Sequence, residues 1–209
     1  MSGRPTADTR TRLRTRRTIL DAAAAVLSRD RTASLGAVAD AAGIGRTTLH
    51  RYYADRASLI RALALDSIAA TDDAIAASRI SEGPPAEALE RLVLAFLALG
   101  DRFGFLLGEP GIEDDHEYRE REDRSLQPVV ALLARGQTAG ELRGDLPVAW
   151  MLELVGMVIY SAWRALEAGT IPREDAPRLV TTSLLRAIGT WFEPVEGTMP
   201  PGRSGRNAR

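Results

Sequence analysis

This chain of 209 residues contains no cysteine and no lysine. Without Cys it can form no disulfide, offer no thiolate nucleophile and build no Cys-ligated metal centre, which suits a reducing cytoplasm. All 27 basic residues are Arg, a bias that points to a GC-rich bacterial genome rather than to a chemical need. Aromatic residues are scarce at 5%, yet hydrophobic residues reach 45%, enough to build a real core. The N-terminus is polar and Arg-rich with no apolar region behind it, which argues against a secretory signal. There is no convincing strand alternation, no Gly-x-Ser-x-Gly elbow, no Gly-Lys phosphate loop and no His-Glu-x-x-His helix. The run Gly43-x-Gly45-x-x-Thr48 begins like a dinucleotide loop, but it follows a helical pattern and lacks the third Gly. An enzyme therefore finds no support, and no cofactor is expected. His116 lies among Glu113, Asp114, Asp115 and Glu117, but with two His in the chain this reads as a solvated acidic face, not a metal site.

What is present is unevenly spread. Residues 1 to 61 hold 12 Arg against 5 Asp, a net +7, whereas residues 62 to 209 hold 15 Arg against 23 acids, a net −8. The overall charge of −1 hides a basic head on an acidic body, the footprint of a nucleic-acid-binding unit joined to something else. Residues 1–9 lack periodicity and are expected to form a mobile basic arm. Ile19, Ala22, Ala23, Val26 and Leu27 then predict a helix over about 10–29.

Two short helices follow. Ser34 can cap the first, with Leu35, Val38, Ala39 and Ala42 on one face. The second runs from Gly45 through Arg46, Thr47, Thr48, Leu49, His50, Arg51 and Tyr52. Ile44, Leu49 and Tyr53 would point inward, leaving Arg46, Thr47, Thr48, His50 and Arg51 on the exposed side. Such a pair can hold its second helix in a major groove while the first crosses the backbone. By reach, Arg46 can bond guanine O6 and N7, and Thr47 can touch a phosphate or a thymine methyl. Ser34 and Gly45, at the two helix starts, complete the expected DNA-facing set.

From Asp55 a long helix is expected to about Ser78, stopped by Gly83-Pro84-Pro85, with another running to Gly100. Glu109 to Arg124 is densely charged, and a further helix is predicted near Leu126 to Ala139. The Gly140–Pro147 linker separates it from two last helices at about 148–168 and 175–192. Residues 193–209, rich in Gly, Pro and Arg, read as a disordered tail. These boundaries give an all-α chain of about nine helices, with a DNA-binding unit at 10–54 and a ligand-binding and dimerisation body at 55–192.

Between Val148 and Trp163 the only charged residue is Glu153, and apolar side chains surround the helix. A membrane span is rejected, because 16 residues with an internal Glu and Gly fall short of the roughly 20 a bilayer needs. The alternative is a helix packed on its own core and on a second chain, with Trp150, Leu154, Met157, Leu184, Leu185, Ile188 and Trp191 forming a four-helix dimer interface. A two-fold dimer would present its recognition helices about 34 Å apart to a near-palindromic operator. Phe96, Phe103, Phe105, Tyr118, Met151, Tyr160 and Trp163 are candidates to line a cavity for a small apolar effector.

Taken together, Ile19-Leu20-Asp21-Ala22-Ala23, Val38-Ala39-Asp40-Ala41-Ala42-Gly43-Ile44 and Thr48 to Leu59 resemble the TetR family of bacterial one-component repressors. That resemblance implies an all-α homodimer with an N-terminal helix-turn-helix, released from DNA by a small molecule. It also implies phosphate contacts from Tyr52 and Arg56. The chain departs from the family pattern with His50 where Tyr is common and Arg56 where Lys is common. The loop Ser28–Ala33 also lacks the customary Gly after the first helix. Two other readings remain: an all-α protein touching membranes through its basic first helix, and a helical enzyme whose N-terminal unit binds a partner.

Overall fold

A computed structural model of the protein describes residues 7–100, 102, 105 and 112–190. Among the described residues it is all-helical, with eight α-helices where about nine were expected, one 3-10 turn and one isolated bridge. The head comprises α1 (Ala7–Leu27), α2 (Leu35–Ala41) and α3 (Arg46–Tyr52). The body comprises α4 (Arg56–Ala77), α5 (Pro85–Leu99), α6 (His116–Thr138), α7 (Val148–Glu167) and α8 (Ala176–Ile188), with the 3-10 turn Ile112–Asp114 before α6.

Two apolar clusters organise the chain. In the head, Ile19, Ala23 and Leu27 of α1 meet Val38 and Ala39 of α2 and Leu49 of α3, all at most 1% exposed. The first half of α4 belongs to this cluster through Leu59, Leu63 and Ile68, and so do Phe105, Ile112 and Tyr118 from beyond α5. The recognition unit therefore shares one core with the segment that begins α6. The second cluster joins α5 (Leu89, Leu92, Phe96), α6 (Val129, Leu133), α7 (Met151, Val155, Ile159) and α8 (Val180, Leu184, Ile188). Burying each such Leu or Ile contributes about 1.5–3 kcal/mol, which offsets the ordering of its helix.

Polar side chains fix the connections. The loop after α1 has no Gly; instead Asp30 accepts from the Thr32 amide (2.9 Å) and hydroxyl (2.7 Å), and Arg56 donates to the carbonyls of Arg31 and Ala33. Gly43, at φ +66°, makes the turn between α2 and α3, where a Cβ would be strained. The chain leaves α4 at Ala77, before the Gly83-Pro84-Pro85 stop. There Arg91 donates to the carbonyls of Ser78, Arg79 and Glu82, and Arg135 to those of Ile80 and Ser81.

α6 begins ten residues before the expected Leu126, inside the charged stretch. Asp115 caps it by accepting from the Tyr118 amide (3.1 Å), and Tyr118, Ser125, Val129 and Leu132 continue one buried face through Pro128. The linker after α6 is stitched down. The Arg143 amide donates to the Ile188 carbonyl (2.8 Å), the Thr190 amide to the Glu141 carbonyl (3.2 Å), and the Ala86 amide to the Glu141 carboxylate (2.8 Å).

α7 is, among the described residues, the one helix long and apolar enough to cross a bilayer by length and composition. Here Met151, Val155, Ile159 and Trp163 pack inward, while Trp150 and Met157 stand 55% and 50% exposed on the opposite side.

Candidate functional site

The head presents one polar face. Ser34 caps α2 by accepting from the Ala37 amide (3.2 Å), and no side chain caps α3, whose N-cap is Gly45. Arg46, Thr47, His50 and Arg51 are exposed, Thr48 and Tyr52 are half-buried, and Leu49 anchors the helix from beneath. Burial raises the Tyr53 hydroxyl pKa, against the opposing pull of Arg16. The Arg51 guanidinium lies 5.9 Å from the Tyr52 ring centre, a cation–π arrangement that holds both at the C-terminal end of α3. His50 Nδ1 lies 3.3 Å from the Ala54 carbonyl.

Two of the expected DNA contacts are already engaged within the fold. A Cβ added at Gly36 would fall 3.0 Å from the Arg46 guanidinium, so Arg46 lies folded back across α2 and must swing outward to reach a base. Arg56 spends two nitrogens on the carbonyls of Arg31 and Ala33, so it braces the loop before α2. Sequence reasoning missed that bracing role. Of the basic arm, residues 1–6 lie outside the described residues, while α1 starts at Ala7, earlier than expected, and exposes Arg10, Arg12, Arg14, Arg16 and Arg17.

In the body a cavity of about 340 Å³ opens between α4, α5, α6 and α7. Ile68, Phe96, Leu126, Leu152, Val155 and Met157 form its apolar walls, with Glu122, Asp123 and Glu153 also lining it. No Arg or His is among its described lining residues. Of the six described side chains among the seven expected to line a pocket, only Phe96 lines this cavity. Phe105 and Tyr118 are buried in the head's core and Met151 in the body's. Trp163 is buried, with half-buried Tyr160 stacked on it at 6.1 Å, and Phe103 lies outside the described residues. Phe105, Tyr118 and Met151 do not line it because these large side chains fill the cores instead of bounding an opening. Glu122, Glu153 and Gly156 carried no sequence signal for a pocket.

Of the expected dimer residues, Trp150, Leu154 and Met157 lie along one side of α7, and Leu185 is half-buried on α8. Leu184 and Ile188 are corrected to core: at 1% and 0% exposure they pack inside their own body and have no surface left for a partner. Trp191 lies outside the described residues.

Ion pairs tie the head to the body and, within the body, α4 to α6. Arg61 of α4 pairs with Asp115 (2.7 Å) and Glu117, and Arg29 at the end of α1 pairs with Glu167 at the end of α7 (2.7 Å). Arg102 pairs with Asp66 (3.1 Å) and Asp21.

No family model matches the chain. It is 37% identical over 186 residues to the HTH-type transcriptional repressor LfrR of Mycolicibacterium smegmatis, spanning 89% of this chain and 96% of that protein. It is 28% identical over 184 residues to the HTH-type transcriptional regulator NfxB of Pseudomonas aeruginosa, spanning 87% and 92%. The crystal structure of the TetR-like regulator LfrR in complex with proflavine matches the fold with a TM-score of 0.72 at 37% identity, over 83% of this chain and 96% of that one. The ketosteroid regulator KstR2 of Mycobacterium tuberculosis, at 21% identity and a TM-score of 0.66 over 83% and 94%, shares the fold.

Proposed function

Because the chain belongs to the TetR family of helix-turn-helix transcriptional regulators, we propose that it is a repressor whose effector is an apolar organic cation. It is a ligand-responsive DNA-binding regulator, not an enzyme. It acts in the cytoplasm, as a dimer on a near-palindromic operator. Arg46 and Thr47 read bases, Thr48, His50, Arg51 and Tyr52 lie along the duplex, and Arg56 positions the head on phosphate while bracing its loop. Ser34 and Gly45 set the two helix starts against the backbone. The partner subunit packs on the side of α7 that carries Trp150, Leu154 and Met157.

The observation that carries the effector class is the lining of the cavity: apolar walls from four helices, three carboxylates and no described basic residue. Apolar surface supplies affinity, while Glu122, Asp123 and Glu153 favour positive charge and disfavour anions. The relative LfrR has been crystallised with proflavine, a planar dye that is cationic at neutral pH, and this supports the same chemistry here. A ligand that prefers the arrangement with misplaced recognition helices draws the population away from DNA, and the two bindings weaken each other equally.

The test takes an operator selected from random duplexes and titrates the protein against it, with and without proflavine. Two protomers on a palindromic site, weakened about tenfold or more by the dye, are expected. Proflavine that binds and leaves operator affinity unchanged would refute the effector reading, and selection yielding no preferred duplex would refute the DNA reading.

A further inference from the structure

Resting on the reading of a dimer on a near-palindromic operator, we propose that Arg102 and Glu167 are positioning residues that fix the angle of the head on the body and so set the half-site spacing the dimer accepts. Each reaches the α1 side of the head from a different part of the body. The Arg102 guanidinium, just beyond α5 and with its side chain only 15% exposed, donates to Asp21 of α1 and, at 3.1 Å, to Asp66 of α4. Arg17 of α1 lies against the same two carboxylates, 3.4 Å from Asp21 and 3.7 Å from Asp66. Glu167, the last residue of α7, accepts from two nitrogens of Arg29, just past α1, at 2.7 and 3.4 Å.

The backbone joins head to body through α4 alone. Apolar packing beneath the head, through Phe105, Ile112 and Tyr118, holds it down but has no preferred direction. Charge-assisted bonds from a planar guanidinium do have one. Asp21 and Arg29 are eight residues apart, roughly 12 Å along the helix direction, so a body that grips both leaves the head no single pivot. The grip on Arg29 carries further, because the loop that follows it is held through the Arg31 and Ala33 carbonyls by Arg56 and leads straight into α2. Glu167 in turn ends the helix whose exposed side carries Trp150 and Met157, so in the dimer each head is tied directly to the helix that meets the partner. The Arg29 and Glu167 side chains are 58% and 29% exposed, and such a pair contributes little to stability; its effect is on direction. One added base pair moves a half-site by about 3.4 Å along the duplex and turns it by about 35° around it, a displacement that heads held at two points resist.

The full-length parent, Arg102→Gln and Glu167→Gln are titrated against the selected operator, against the same operator with one base pair added or removed between its half-sites, and against a duplex carrying a single half-site. The parent should bind the altered spacings about tenfold or more weakly than the selected one. Each variant should narrow that gap to within about threefold while binding the single half-site within about twofold of the parent. A merely structural role would lower every affinity alike and leave the spacing ratio at its parental value, and that result overturns the proposal. Should R102Q fold poorly, the exposed pair offers a charge exchange. Glu167→Arg should loosen the spacing preference, and combining it with Arg29→Glu should restore the parental ratio; a double variant as tolerant as E167R overturns the role of the pair. A parent indifferent to spacing overturns the proposal and leaves the DNA reading standing, whereas selection that yields no preferred duplex removes the DNA reading itself.

Discussion

Arg61 of α4 and Asp115 at the start of α6 form an ion pair of 2.7 Å that bridges the helix leaving the head and the helix flanking the cavity. Asp115 has a depressed pKa, first because it accepts from the Tyr118 amide and next because Arg61 lies against it. Asp55, which caps α4 through the Ser58 amide, and Asp30, which accepts from the Thr32 hydroxyl, are depressed as well. A carboxylate whose folded pKa lies below its unfolded value contributes stability above the unfolded value and loses it as pH falls through the folded one. The melting temperature should therefore stay nearly level from pH 7 to 5 and fall below about pH 4. Asp115→Asn, which keeps the cap and loses the charge, should make that fall shallower; an unchanged acid limb in D115N would show that this aspartate does not carry it.

Arg46 and Arg56 should separate by the kind of loss they cause. Arg46→Ala should relax preference at one operator base pair by about 1–3 kcal/mol and leave stability unchanged. Arg56→Ala removes both carbonyl bonds of the loop before α2, so it should lower the stability of the free protein by about 1–3 kcal/mol as well as weaken every duplex alike. Denaturant unfolding beside competition titrations checks both, and an R56A protein of parental stability would contradict the bracing role.

Gly36→Ala tests the stored position of Arg46. The new methyl would meet the guanidinium at 3.0 Å, and the far end of a long side chain can move away. The fold should survive with Arg46 displaced, and base preference should change at the position that R46A affects and nowhere else, read by the same competition titrations.

Gly136→Ala should destabilise although Ala is the better helix former. A Cβ there would lie 2.5 Å from Leu142 Cδ1 and 2.6 Å from its Cγ, and Leu142 is 1% exposed with no room to retreat. A loss of about 1–3 kcal/mol in urea unfolding is expected; stabilisation would mean that the linker yields more easily than its hydrogen bonds suggest.

Glu153→Gln, at the exposed edge of the cavity, should reduce proflavine affinity by roughly two- to fivefold at low salt, with the difference shrinking as salt is added. Isothermal titration at two ionic strengths measures it, and a difference that ignores salt would place Glu153 outside the electrostatic part of the site.

Helix order was legible because apolar residues at 3.6 spacing end against Gly and Pro, as Leu97 and Leu99 do before Gly100. The first half of α6 was not, because its one buried face carries Tyr118 and Ser125 among charges, and its cap Asp115 looks like one more acid in a run. The faces of α8 were ambiguous for a different reason. Leu184 and Leu185 are equally apolar, and only the placement of α5 and α7 decides that Leu184 fills the core. The cavity was the least legible part. Large aromatics draw attention, but an opening is bounded by where side chains stop, and Ser125 and Gly156 contribute by being small. Arg56 was read for its charge toward DNA, and nothing in its neighbours reveals that carbonyls 23 and 25 residues earlier would fold onto it.

The stitches between the 140–147 linker, the end of α8 and the start of α5 give the body a mechanical character. Glu141 holds the first turn of α5 by its side chain and the chain after α8 by its carbonyl, so the last helix cannot peel away without also loosening the start of α5, the helix it packs against. A tether pulling on the C-terminal end would load the whole bundle at once, and the body should give way in a single step instead of unzipping helix by helix.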